Sequence, residues 1–299
     1  MPRKPRENEF GGPWTKVKLE RIRKYLHAYT TIFRANKAAM YYTTHYVDAF
    51  AGSGRVLPSG QSENPTLALF DESDIADMQV FYKGSARNAL EVEPGFDNYL
   101  FIERRTGFVS ALQDLKSQFP ERAHQIRIQQ GDANQVLQEW SRQMDWRRNR
   151  SVVFLDPYGM QVDWSTLVAL AKTKAVDMWV LLPLEAIIRM LTNKGLPPDE
   201  WQIQLSALFG TADWIDRFYP LSSQLSLYGA DPEIEKQAKP KQICNFYVER
   251  LQDIFAGVSS DYLLLKNRKS NPIFALFFAA ANPEKAAKAT RIAGDVLRG

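Results

Sequence analysis

Four acidic residues stand directly after runs of apolar, β-prone residues. Asp48 closes Tyr46-Val47-Asp48, Glu103 closes Tyr99-Leu100-Phe101-Ile102-Glu103, Asp132 follows Ile126-Arg127-Ile128-Gln129-Gln130-Gly131, and Asp156 follows Ser151-Val152-Val153-Phe154-Leu155. A carboxylate at the carboxyl end of a parallel strand can accept hydrogen bonds from both hydroxyls of a ribose, or it can cap the helix that follows. Either use accounts for any one of these acids; four in register describe a crevice for a nucleoside. The turn after Asp48, Ala49-Phe50-Ala51-Gly52-Ser53-Gly54, adds two glycines where positive φ and close approach of backbone to ligand are available. One cysteine, Cys244, excludes an internal disulfide framework and a cysteine-rich metal site, and three scattered histidines argue against a histidine cluster, so no metal is expected. Cys244 itself falls in an amphipathic pattern with Ile243, Phe246, Tyr247 and Leu251 and reads as a small buried residue.

The elements that must position these acids follow from periodicity. Apolar residues at Val17, Leu19, Ile22, Leu26, Tyr29 and Phe33 predict an amphipathic helix over 15–33, with Lys16, Lys18, Arg21, Arg23 and Lys24 on a solvated basic face. Strands are expected at 46–50, 99–103, 126–130, 151–155 and 177–182, alternating with helices at 108–119, 135–144 and 164–174, the last capped by Asp163. Prolines and glycines between 56 and 98 mark an insertion in the first crossover, with a helical turn at 67–70, an extended piece at 79–82 and a helix start at 84–90 capped by Ser85. Beyond residue 184 the pattern turns helical, at 185–191, 200–209, from 211, and 241–255. Two extended runs, 261–266 and 273–279, then predict an antiparallel hairpin, and Asn282-Pro283-Glu284 opens a final helix.

The fold class is therefore α/β and Rossmann-like: a mostly parallel sheet with a C-terminal antiparallel hairpin and a helical insertion. The expected organisation is a flexible basic arm at 1–14, a cofactor-binding core at 15–183, a helical insertion at 184–258, and a hairpin and helix at 259–299 that complete the core. No apolar run is long enough to span a bilayer and no secretory signal is visible, so a cytoplasmic protein is expected. The net charge of +4 is a mild tilt toward polyanions. Two basic clusters compete for such a partner. Arg147, Arg148 and Arg150 enter a strand and belong at the amino edge of the sheet, whereas Lys266, Arg268 and Lys269 in the hairpin turn belong at the carboxyl edge, where ligands of this fold class sit.

The order of Asp48-Ala49-Phe50-Ala51-Gly52-Ser53-Gly54, Glu103, Gly131-Asp132-Ala133 and Asp156-Pro157-Tyr158-Gly159, with a terminal hairpin, resembles the class I S-adenosylmethionine-dependent methyltransferases. More narrowly, residues 46–54, 84–90, 154–159 and Leu208-Phe209-Gly210-Thr211 resemble the three-Cys-motif partner proteins, TcmP, which are encoded beside a three-cysteine, radical-SAM-like protein. The resemblance implies S-adenosylmethionine as cofactor, with Gly52 and Gly54 beside its methionine part, Asp48 near its amine, Glu103 on the ribose and Asp132 on the adenine amino group. Phe50 and Ala133 complete that set. Asp156, Pro157 and Tyr158 resemble the Asp-Pro-Pro-Tyr signature of enzymes that methylate exocyclic amines of nucleobases. Here the second proline is missing and the aromatic comes one position early, closer to the tRNA guanine-N2 dimethyltransferases.

The implied activity is methyl transfer to a nucleobase in RNA or DNA, with Asp156, Pro157 and Tyr158 catalytic. The alternative is a non-catalytic, S-adenosylmethionine-binding partner of a three-cysteine radical-SAM-like protein. A nicotinamide-dependent oxidoreductase is disfavoured because Leu57 stands three residues beyond Gly54, where that fingerprint needs a small residue.

Overall fold

The computed structural model describes residues 13–52, 84–157, 159–220, 236–267 and 269–299. Its centre is a sheet in the order β3-β2-β1-β4-β5-β8-β6, with β7 also paired to β8. Strands β1 (Thr43–Asp48), β2 (Asn98–Glu103), β3 (Ile126–Gln130), β4 (Asn149–Leu155) and β5 (Val176–Leu182) run parallel. Strand β8 (Pro272–Ala280) is antiparallel to β5, and β6 (Gly257–Val258) and β7 (Leu263–Lys266) pair antiparallel with it. This is the Rossmann-like mixed sheet with a C-terminal antiparallel pair that the sequence predicts.

Strands β2, β4, β5 and β8 carry long apolar runs because both of their faces are covered, whereas β3 at the sheet edge, Ile126-Arg127-Ile128-Gln129-Gln130, is mixed. Successive residues alternate between two cores: Val153 and Leu155 of β4 face one, Val152 and Phe154 the other. The first core lies beneath α4 (Ala133–Gln143), α5 (Trp164–Lys172) and the helices that follow β5, namely α6 (Leu184–Met190), α7 (Asp199–Phe209), α8 (Trp214–Phe218) and α9 (Pro240–Gln252). The second lies beneath α1 (Pro13–Ala35), α2 (Ser85–Leu90), α3 (Thr106–Ser117) and α10 (Ala286–Arg298). Full burial of each large apolar side chain contributes about 1.5–3 kcal/mol, so these two layers dominate the fold's stability.

Several local expectations are corrected. Helix α1 begins at Pro13 with Trp14 buried, so residues 13 and 14 belong to the helix and not to the arm expected at 1–14. Its inward stripe is Trp14, Lys18, Ile22, Tyr25, Leu26 and Tyr29; Val17 points outward, and Lys18 is buried rather than solvated. Ser85 is the first residue of α2, with Gly84 in the cap position, and its hydroxyl bonds Asp48. Asp163 precedes α5 but does not bond its first turn through its side chain. Asn282 accepts from the Glu284 N–H, and the last helix starts only at Ala286. Strand β6 falls inside the span expected to be helical. The pieces expected at 67–70 and 79–82 lie outside the described residues.

Candidate functional site

The carboxyl ends of β1, β2 and β3 open into a cleft of about 820 Å³. Glu103, the last residue of β2, is 7% exposed and lines it. One carboxylate oxygen accepts the Gly52 N–H at 3.0 Å and the other accepts the Arg105 N–H at 2.8 Å. Gly52 has φ of 64°, which aims its N–H at Glu103 at a backbone conformation that L side chains rarely adopt. A carboxylate has about four acceptor sites, so Glu103 keeps capacity for a ligand hydroxyl. Burial raises the Glu103 pKa, and the Arg105, Gly52 and Arg104 N–H groups oppose that rise, which favours the ionised acceptor.

Asp132 caps a helix and lines the cleft. Its Oδ1 accepts from the Asn134 and Gln135 N–H groups at the start of α4. Asn134, which sequence reasoning passed over, ties the cleft floor together: its Nδ2 donates to the Gln161 carbonyl and its Oδ1 accepts from the Asp163 N–H and the Thr166 hydroxyl. Phe50 and Ala133 also line the cleft, as do Arg105, Gln138 and Gln161, none of which stood out in the sequence. The Arg105 guanidinium lies over the Phe108 ring at 5.5 Å.

Beyond the lining, at the same edge, sits a buried charged cluster. Asp48 is 0% exposed; its Oδ1 accepts the Phe50 N–H at 3.3 Å, and its Oδ2 has no hydrogen-bond partner among the described residues. Burial, with Asp156 and Glu103 nearby, raises its pKa to about 7, against the pull of the Ser85 hydroxyl and the Phe50 N–H. Asp156 is 2% exposed and both its oxygens face the Lys18 ammonium, at 3.2 and 3.1 Å. Burial lifts its pKa to about 6, opposed by the Lys18 charge and hydrogen bond. Lys18 is 1% exposed, and its own pKa falls to about 8 through burial, resisted by Asp156 and then Asp48.

The structure thus gathers Asp48, Gly52, Glu103, Asp132 and Asp156 at one edge, with Phe50 and Ala133 in the cleft wall. Pro157 is buried beside Asp156. Gly54, Tyr158 and Arg268 lie outside the described residues. Lys266 and Lys269 are exposed and flank the turn between β7 and β8. Because Leu182, at the end of β5, pairs with Ala275 near the start of β8, that turn is on the cleft side of the sheet. At the opposite edge Arg147 pairs with Asp145, Arg148 lies over Tyr41, and Arg150 stacks on Tyr42 at 3.8 Å.

Lys18 is the residue the sequence reading misassigned. The signal was present: Trp14, Lys18, Ile22, Leu26 and Thr30 are spaced by four, so a helix that buries Trp14 and Ile22 also buries Lys18. Among the described residues no group of histidines, cysteines and acids is arranged to hold a metal ion, and no helix is long and apolar enough to cross a membrane.

No protein-family model and no curated protein matches the chain. Among solved structures it is similar to protein LPL1258 from Legionella pneumophila, of the family model DUF519, at 12% identity over 96% of this chain and 92% of that one, with a TM-score of 0.49. It is also similar to a conserved hypothetical protein of Streptococcus pyogenes, at 16% identity over 48% of this chain and 71% of that one, with a TM-score of 0.29.

Proposed function

We propose that this protein is an S-adenosylmethionine-dependent methyltransferase acting on an exocyclic amine of a nucleobase in RNA or DNA. The observation that carries the reading is Glu103: a carboxylate at the end of the second parallel strand, steadied by one backbone N–H on each oxygen and facing a cleft large enough for a nucleoside. Asp48 supports it, because a buried carboxylate oxygen without a partner among the described residues suits the cationic amine of a methionine moiety. Asp132 would accept from the adenine amino group while capping α4, and Phe50 and Ala133 would bound the base.

When bound, the cofactor supplies an electrophilic methyl group on a sulfonium, a centre already activated, so alignment contributes more than a strong base. Asp156 would accept hydrogen bonds from the target amine and orient its lone pair. The amine that gains a methyl group must lose a proton, and a carboxylate with a pKa near 6 can take it up at neutral pH.

Isothermal calorimetry with S-adenosylhomocysteine tests the reading directly. Wild-type protein should bind, and Glu103→Ala should weaken binding by about 1.5–3 kcal/mol, the worth of hydrogen bonds to a charged group. Absence of heat in the wild type, or unchanged affinity in the variant, would remove the assignment. One observation favours a second reading, a non-catalytic cofactor-binding partner of a three-cysteine radical-SAM-like protein: Asp156 is engaged by Lys18 within the chain. Tritium transfer from labelled cofactor to total RNA and DNA separates the two.

A further inference from the structure

Lys18 has a place that the methyltransferase reading does not by itself explain. It arises from the inward stripe of α1, and its ammonium reaches both oxygens of an aspartate 138 residues away. The ammonium lies 5.2 Å from the centre of the Trp14 ring and 6.0 Å from that of Phe274, so aromatic faces from α1 and β8 flank it. Burying a lysine and an aspartate together is costly unless the pairing geometry is good, and replacing such a pair by apolar residues is often neutral or stabilising. The pair is therefore a poor stability device, placed at the carboxyl edge of β4.

We infer that Lys18 is a positioning residue of the acceptor site, holding the Asp156 carboxylate ionised and aimed at the target amine. This rests on the methyltransferase reading above. The physical need is plain. Around Asp156, β1 presents Asp48 and the neutral Tyr46 hydroxyl, both of which the Asp156 charge pushes toward their protonated forms, and Glu103 stands beyond Asp48; burial is what drives Asp156 itself toward its neutral form. Lys18, from α1, supplies the opposing positive charge. Without it, burial would leave Asp156 protonated at neutral pH. A protonated carboxyl is a hydrogen-bond donor as well as an acceptor, and orients an amine poorly.

Lys18→Met keeps the stem and removes the charge, Lys18→Arg keeps the charge, and Asp156→Asn assigns the Asp156 signal in the carbon-13 carboxyl spectrum. S-adenosylhomocysteine binding checks that each variant is folded. Asp156 should titrate near 6 in the wild type, and about two units higher in Lys18→Met. Methyl transfer to a pool of total RNA and DNA at pH 7 should then fall about tenfold, following the ionised fraction. It should recover toward pH 9, at unchanged KM for the cofactor, and Lys18→Arg should restore it. An Asp156 titration that does not move in Lys18→Met overturns the inference, whether or not cofactor binds. So does a Lys18→Met variant that transfers methyl as fast as the wild type or faster, which would make the ammonium a spectator or a plug. Wild-type protein that binds no S-adenosylhomocysteine overturns the methyltransferase reading instead, and leaves the electrostatic measurement standing.

Discussion

At Asp48 a carboxylate is fully buried near two others, and its pKa rises from the ordinary 3.8 to about 7. Between those values the folded protein holds a proton that the unfolded chain releases, so stability falls as pH rises through that window, and the deficit is complete above it. Asp48→Asn removes the titration. The variant should be as stable as the wild type near pH 4 and more stable by about 1–3 kcal/mol at pH 8. The same change should weaken S-adenosylhomocysteine binding, because the acceptor proposed for its amine loses its charge. Urea unfolding at the two pH values and calorimetry give both readouts; wild-type stability of the variant at pH 8 would contradict the burial argument. A site that lowers stability in its empty state is what a group reserved for a ligand produces.

At the scale of elements, α1 ties the two edges of the sheet together. Lys18 meets Asp156 beyond the carboxyl end of β4, and two turns later the Tyr25 hydroxyl donates to Asp177 at the start of β5, at 2.7 Å. Burial lifts the Asp177 pKa to about 6, with the Tyr25 hydrogen bond pulling it back. Tyr25→Phe leaves that carboxylate without its donor and should cost about 1.5–3 kcal/mol at pH 8, and less below pH 5, where Asp177 is protonated. Equal losses at both pH values in thermal or urea unfolding would assign the effect to packing instead. The end of α7 depends on one glycine. Gly210 has φ of 69°, and a Cβ there would lie 2.1 Å from the Trp164 ring. Gly210→Ala should destabilise by about 2–4 kcal/mol, from left-handed strain plus overpacking. A loss well under 1 kcal/mol in the same assay would mean that the Trp164 ring moves aside.

For the molecule as a whole, the net charge of +4 is too small to choose between the two basic clusters as a footprint for the proposed nucleic-acid substrate, and the two differ instead in the sheet edge they occupy. The hairpin turn bearing Lys266 and Lys269 lies at the cleft edge because β8 runs antiparallel to β5. The arginine loop enters β4 at the far edge, where Arg147 and Arg150 are already engaged by Asp145 and by backbone carbonyls. Replacing Lys266, Arg268 and Lys269 with alanine should weaken nucleic-acid binding and lower its salt slope by about one unit for each phosphate no longer neutralised. The triple replacement of Arg147, Arg148 and Arg150 should do little. A salt titration with the opposite result would place the footprint on the amino edge, next to Tyr41 and Tyr42.

By itself the sequence determined what depends on local pattern and chain order. Parallel strands buried on both faces read as continuous apolar runs, so β2, β4 and β5 were legible within two residues, and once their order of use was known the acids after them had to fall at one edge. Asp132 was legible both as a cap and as a cleft residue because both uses need a carboxylate at the same place. The tertiary structure alone decided what depends on partners far along the chain. Two-residue β6 exists because β8 offers an edge to pair with, and has no periodicity of its own. Arg105, Gln138 and Gln161 are cleft residues because the turn after β2, the flank of α4 and the loop after β4 converge there. Lys18 shows the division most sharply. Helical spacing put it on the stripe of Trp14 and Ile22, but a lysine there is sensible only when a carboxylate waits beneath it, and Asp156 is brought there by a pairing that spans 138 residues.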